Sequence, residues 1–95
     1  MQIAKVIGTV VSTKKDAKFD GLKLLLVQAA DVEGAAKGGV LCAIDAVGAG
    51  VGEVVLLTTG SSARLTDVTE NRPVDTVVVA IVDMIETEGK IRYNK

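Results

Sequence analysis

Apolar and polar positions alternate with a period of two at the start of this chain. Over Gln2 to Ser12, Ala4, Val6, Gly8 and Val10 fall on one face, and Ile3, Lys5, Ile7, Thr9 and Val11 on the other. That period predicts a β-strand. Its first face is small and apolar, as the interior of a narrow barrel requires. Lys23 to Ala29 predicts a second strand, with Leu24 and Leu26 on one side and Leu25 and Val27 on the other. Val40 to Val47 predicts a third, apolar on both faces apart from Asp45, and Glu53 to Thr59 a fourth. Val74 to Glu86 predicts one last long strand, with Val77, Val79 and Ile81 opposed to Val78, Ala80 and Val82. Glu88-Gly89 turns the chain, and Lys90 to Tyr93 returns as a short tail strand.

The connections are marked by turn chemistry. Thr13 to Leu22 is a lysine-bearing loop ending in the Asp20-Gly21 turn signal, and Asp31 to Gly39 is a turn with Gly34, Gly38 and Gly39. Ser61 to Thr66 predicts one short helical turn, which a hydroxyl of Ser61 or Ser62 can cap. Asp67 to Pro73 is a polar loop. Five strands with turns between them predict an all-β fold, a small five-stranded antiparallel, OB-like barrel with one short helix closing a gap. There is no internal repeat, and residues 1–95 are expected to form a single domain.

Three of these strands are apolar on both faces. An antiparallel strand wetted on one side alternates instead. A barrel has one interior, so the outward Leu, Val and Ile side chains need another cover. Each is worth about 1.5–3 kcal/mol when fully buried. No long helix is available within the chain, so the pattern predicts self-association through the sides of the barrel.

Composition narrows the partners. The 95 residues are 48% hydrophobic but only 2% aromatic, and the net charge is −1. A barrel that binds single-stranded nucleic acid stacks bases on aromatics in a basic groove. Here Phe19 and Tyr93 are the only aromatics and both lie outside the long strands. Nucleic-acid binding is thus the weaker alternative, and no membrane partner is expected. The longest uncharged run, Val54 to Ala63, is too short and too polar to span a bilayer. The reading is a cytoplasmic protein, consistent with a single cysteine.

Candidate chemistry is sparse. Histidine is absent, which removes the commonest general base and metal ligand. No metal site and no cofactor are expected, since tetrahedral zinc needs several Cys or His ligands. Cys42, among apolar neighbours, reads as a small buried hydrophobe. Gly48-Ala49-Gly50 opens like a dinucleotide fingerprint, but its third glycine would fall at Glu53 and no long helix follows. Gly60-Ser61-Ser62-Ala63-Arg64 fits either a small anion nest beside a guanidinium or, the favoured reading, a turn with Arg64 paired to a carboxylate. Glu53 and Asp45 are the candidate partners, within the chain or across a subunit boundary.

Taken in order, the motifs resemble a family. They are Gly8 with Val10 to Thr13, Lys23 to Val27, Asp45-Ala46-Val47-Gly48-Ala49-Gly50-Val51-Gly52-Glu53, Gly60-Ser61-Ser62-Ala63-Arg64, Pro73-Val74-Asp75 and Ala80 to Asp83. The chain is similar to the vertex proteins of bacterial microcompartments, found in carboxysome, ethanolamine-utilisation and propanediol-utilisation shells. The resemblance implies a non-enzymatic barrel that forms homopentamers and caps the corners of a polyhedral shell, beside hexameric shell proteins. It also implies a subunit interface at Gly48, Ala49, Gly50, Gly52 and Glu53, supported by Ser61, Ser62 and Arg64. The chain departs from the family pattern at 14–20, 31–37 and 67–71, so those loops assign no metabolic type.

Overall fold

In a computed structural model covering residues 1–95, five strands close into a barrel. They are β1 (Gln2–Val10), β2 (Leu24–Ala30), β3 (Ala36–Asp45), β4 (Val54–Thr59) and β5 (Thr76–Ile81). The order around the barrel is β1-β2-β3-β5-β4, with β4 closing onto β1. Four seams are antiparallel. The fifth is a short parallel one, in which Ile44 pairs with Val77 and Asp45 with Val78.

Inside lie Ala4, Val6, Leu25, Val27, Ala43, Val55, Leu57 and Val78, all fully or nearly fully buried. The small side chains of β1 fit the narrow bore, but only to its midpoint. Val6 pairs with Val27 while Gly8 pairs with Leu26, so Ile7 is the extra residue of a β-bulge. Beyond it the faces exchange. Thr9 stands opposite the buried Leu25, and Gly8 and Val10 stand opposite the half-buried Leu26 and Leu24. The sequence pattern had placed Gly8 and Val10 on the inner face with Ala4 and Val6. A bulge shifts parity without interrupting the alternation, so the pattern does not reveal it.

Two strand boundaries also differ from expectation. β3 begins at Ala36, so Gly38 and Gly39 lie within a strand and not in the preceding turn. Gly38 is needed there because a Cβ would sit 2.4 Å from that of Ala29. The expected strand from Val74 to Glu86 is in fact two. β5 leaves the barrel after Ile81, with Val82 N–H donating to Val54 O at 2.8 Å. β6 (Met84–Thr87) then pairs with β7 (Lys90–Asn94) in a separate two-stranded sheet. Its turn, Glu88-Gly89, has φ of 51° and 76°, as a two-residue hairpin turn with both central residues at positive φ demands.

This hairpin covers part of the barrel wall. Val54 is buried although Val55, next to it, faces the interior. Above Val54 lie Gly34 and the Tyr93 ring, packed so closely that a Cβ on Gly34 would fall 2.5 Å from Tyr93 Cδ1. The chain therefore supplies part of its own cover, here and over Ile44 and Val77, which are buried with Ala63 and Val74 in a cluster apart from the bore. Elsewhere Val40, Val47, Val51, Met84 and Ile91 remain exposed. So does Cys42, which its apolar neighbours in the sequence had marked as buried. Leu41 and Ala43 on either side of it are the residues packed with the core.

Candidate assembly interface

The glycine-bearing segment between β3 and β4 is shaped by two carboxylates. Asp45, almost fully buried, accepts hydrogen bonds on Oδ1 from the backbone N–H groups of Val47, Gly48 and Ala49 at 3.0, 3.0 and 3.2 Å. Three amides converging on one oxygen fold the chain back on itself, which needs positive φ soon after. Gly48 supplies it at φ 77° and Gly52 at φ 94°. Glu53 closes the other side. Its Oε1 accepts from Gly50 N–H at 2.6 Å and its Oε2 pairs with Lys95 Nζ at 2.6 Å. The Lys95 ammonium and then the Gly50 amide hold the Glu53 carboxyl below its ordinary value, and Glu53 in turn raises Lys95. The loop is tied to β1 as well, with Gly52 N–H donating to Val6 O at 2.8 Å.

Folded this way, the loop points its residues in two directions. Ala49 is 1% exposed and packs into the core with Ala4, Val6 and Leu57. It closes that end of the bore. Gly48, Gly50 and Gly52 are exposed, and Val51 is 64% exposed. The outer surface is thus nearly bare backbone flanked by Val47 and Val51, which lets another chain approach closely.

The second motif lies at the far end of β4, a six-residue strand about 17 Å long. Gly60–Arg64 forms a short 3-10 turn with Thr59 at its N-cap and no side-chain cap. Neither Ser61 nor Ser62 caps it as the sequence suggested, because both lie within the turn and Thr59 holds the cap position; Gly60 N–H donates to Asp75 O at 2.9 Å. Ala63 is buried with Ile44, Val74 and Val77 in a cluster separate from the one that fills the bore. The turn is held from below by Thr69, whose hydroxyl donates to Ala63 O at 2.6 Å and lies 2.6 Å from the Thr66 hydroxyl. Ser61, Ser62 and Arg64 are exposed.

Within one chain the two motifs do not meet. Arg64 pairs with neither expected carboxylate, since Glu53 is engaged by Lys95 and Asp45 by its own loop. Asp45 acts as the hub of the glycine loop, a role missed in the sequence although an Asp just before a glycine-rich turn is its usual signal. The terminal Lys95 and the Thr66–Thr69 pair carried no such signal.

The chain matches a known protein family. The model described as ethanolamine utilisation protein EutN/carboxysome matches residues 1–83. The chain belongs to this family. Among its relatives, the carboxysome shell vertex protein CcmL of Nostoc sp. (strain PCC 7120) is 52% identical over the whole of this chain and 95% of its own. The solved structure of that protein matches with a TM-score of 0.94, each chain fully covered. The microcompartment shell vertex protein EutN of Escherichia coli (strain K12) is 41% identical, each chain covered in full. GrpN of Rhodospirillum rubrum, described as a pentameric microcompartment shell protein, matches with a TM-score of 0.81 at 44% identity, covering 92% of this chain and 98% of GrpN. The all-β barrel of this EutN/carboxysome family member agrees with the fold expected from its strands.

Proposed function

We propose that this chain is a structural vertex protein of a bacterial microcompartment shell, forming a homopentamer in the cytoplasm that caps a corner of the polyhedron. The carrying observation is the similarity to vertex proteins over 92–100% of this chain, one of them described as pentameric. It has no enzymatic role in this reading. Residues 1–95 act as one domain, and hexameric shell proteins are the lateral partners, because hexagonal tiles alone stay flat.

A five-membered ring has heterologous contacts, in which one surface of each copy meets a different surface of the next. We assign these two surfaces to the opposite ends of β4. One is the bare backbone of Gly48, Gly50 and Gly52 with Glu53 beside it, Ala49 supporting it from within. The other carries Ser61, Ser62 and Arg64. The exposed Val47 and Val51 support this reading, as does an Arg64 with no carboxylate partner of its own. Native mass spectrometry tests it. Five times the chain mass is expected, and single chains or pairs at cellular concentration would overturn it.

A further inference from the structure

Two parts of the chain far apart in sequence, Lys18 and the segment 61–73, meet at the Gly60–Arg64 turn and line an open groove of about 680 Å³. Lys18, Arg64 and Arg72 face it, with one acid, Glu70. Arg72 is fixed in place: its Nη1 donates to Lys18 O and Asp20 O, both at 2.9 Å. The backbone at Lys18 is itself held by Asp16 Oδ1, which accepts from Lys18 N–H at 2.9 Å. The rest of the Arg72 fork, the Arg64 guanidinium, the Lys18 ammonium and the Ser61 hydroxyl have no partner in the chain. The two ion pairs of the molecule, Lys37–Asp31 and Lys95–Glu53, lie elsewhere, and Glu70 is within pairing distance of none of these cations. A chain of net charge −1 thus gathers a surplus of two positive charges in one concavity. Two forked guanidinium groups match phosphate oxygens in geometry as well as charge. Leu65, 83% exposed, and Pro73 add an apolar wall at the groove.

We propose that this groove binds a phosphate monoester dianion. Arg72 and Arg64 take the phosphoryl oxygens, Lys18 balances the second charge, and the organic part lies against Leu65 and Pro73. The proposal goes beyond the ring reading, although Ser61 and Arg64 belong to both.

The test is calorimetric titration of the wild-type protein with glycerol phosphate at constant ionic strength, with chloride and acetate as controls. Saturable one-site binding is expected, weakened about tenfold in Arg64→Gln and again in Lys18→Gln. Arg72 is left intact because it also pins the 16–20 segment. Heat indistinguishable from chloride, equal binding of acetate, or wild-type affinity in both variants would each overturn the site. Native mass spectrometry of the same samples reads the ring separately. A ring that ignores phosphate overturns the groove alone, and phosphate binding by a protein that never forms a ring overturns the ring alone.

Discussion

The two ends of β4 use similar small residues to opposite effect. At the Glu53 end, two carboxylates gather backbone amides and turn three glycines outward, leaving an apolar, close-approach surface. At the Thr59 end, threonine hydroxyls hold a turn from beneath, and what faces outward is serine and arginine. Each end buries one alanine, Ala49 in the cluster that fills the bore and Ala63 in a second cluster apart from it. Both ends are anchored from within, and their outer surfaces differ. That difference suits a ring, in which unlike faces must meet, and it separates what holds the fold from what is free to make contacts.

The comparison breaks most completely at Asp45. Asp45→Ala leaves three loop amides without their acceptor beside the buried Ala49. We expect a loss of about 3 kcal/mol in chemical denaturation, together with loss of the ring. Thr69→Val is the matching change at the other end. It strands the Ala63 carbonyl and the Thr66 hydroxyl in a site where Thr69 is 0% exposed, and about 2 kcal/mol is expected. If the two ends are as separate as their bonding implies, the double variant should lose the sum. A clear excess over the sum would show the ends to be coupled.

Gly50→Leu sharpens the same contrast without touching the fold. Gly50 is exposed, its φ is not positive, and an added Cβ meets nothing nearer than Glu53 Oε1 at 3.4 Å. The monomer should keep its melting temperature while native mass spectrometry shows the pentamer gone. A persisting pentamer would remove the loop from the interface. Gly48→Ala is the control. With φ at 77° it should cost about 1 kcal/mol of stability even though it adds only a methyl group.

The division between fold and contact was unevenly legible in the sequence. The strands showed themselves because Val, Leu and Ile alternate around a single interior, and the glycine loop because small residues cluster there. The bulge at Ile7 stayed hidden, since a one-residue shift leaves the alternation looking intact. The break at Val82-Asp83 was hidden for a related reason. β6 is as strand-like as β5, and only its pairing with β7 takes it off the barrel. Cys42 looked buried because its neighbours are apolar, yet parity turns it outward. The long-range bonds of Lys95 to Glu53 and Arg72 to Lys18 join residues that no local pattern relates.

The gentlest test concerns pH at the glycine end. Glu53 is held below its ordinary value of 4.5, first by the Lys95 ammonium and next by the Gly50 amide. A carboxyl with a depressed folded-state value contributes stability above its unfolded value and loses it as pH falls through the folded one. Its contribution is therefore present at neutral pH and fades below about 4.5. Lys95, raised above 10.5 by the same partner, contributes below that value and fades as pH rises through its folded one. Asp31 behaves like Glu53 on the acid side, lowered first by the Ala35 amide and next by Lys37. All these groups are solvent-accessible, so the slopes will be shallow and reduced by salt. Glu53→Gln should flatten part of the acid limb and Lys95→Met the alkaline limb, with Asp31 accounting for acid sensitivity that remains. An acid limb identical in Glu53→Gln and wild type would mean that the Gly50 amide, and not the charge, holds the loop closed.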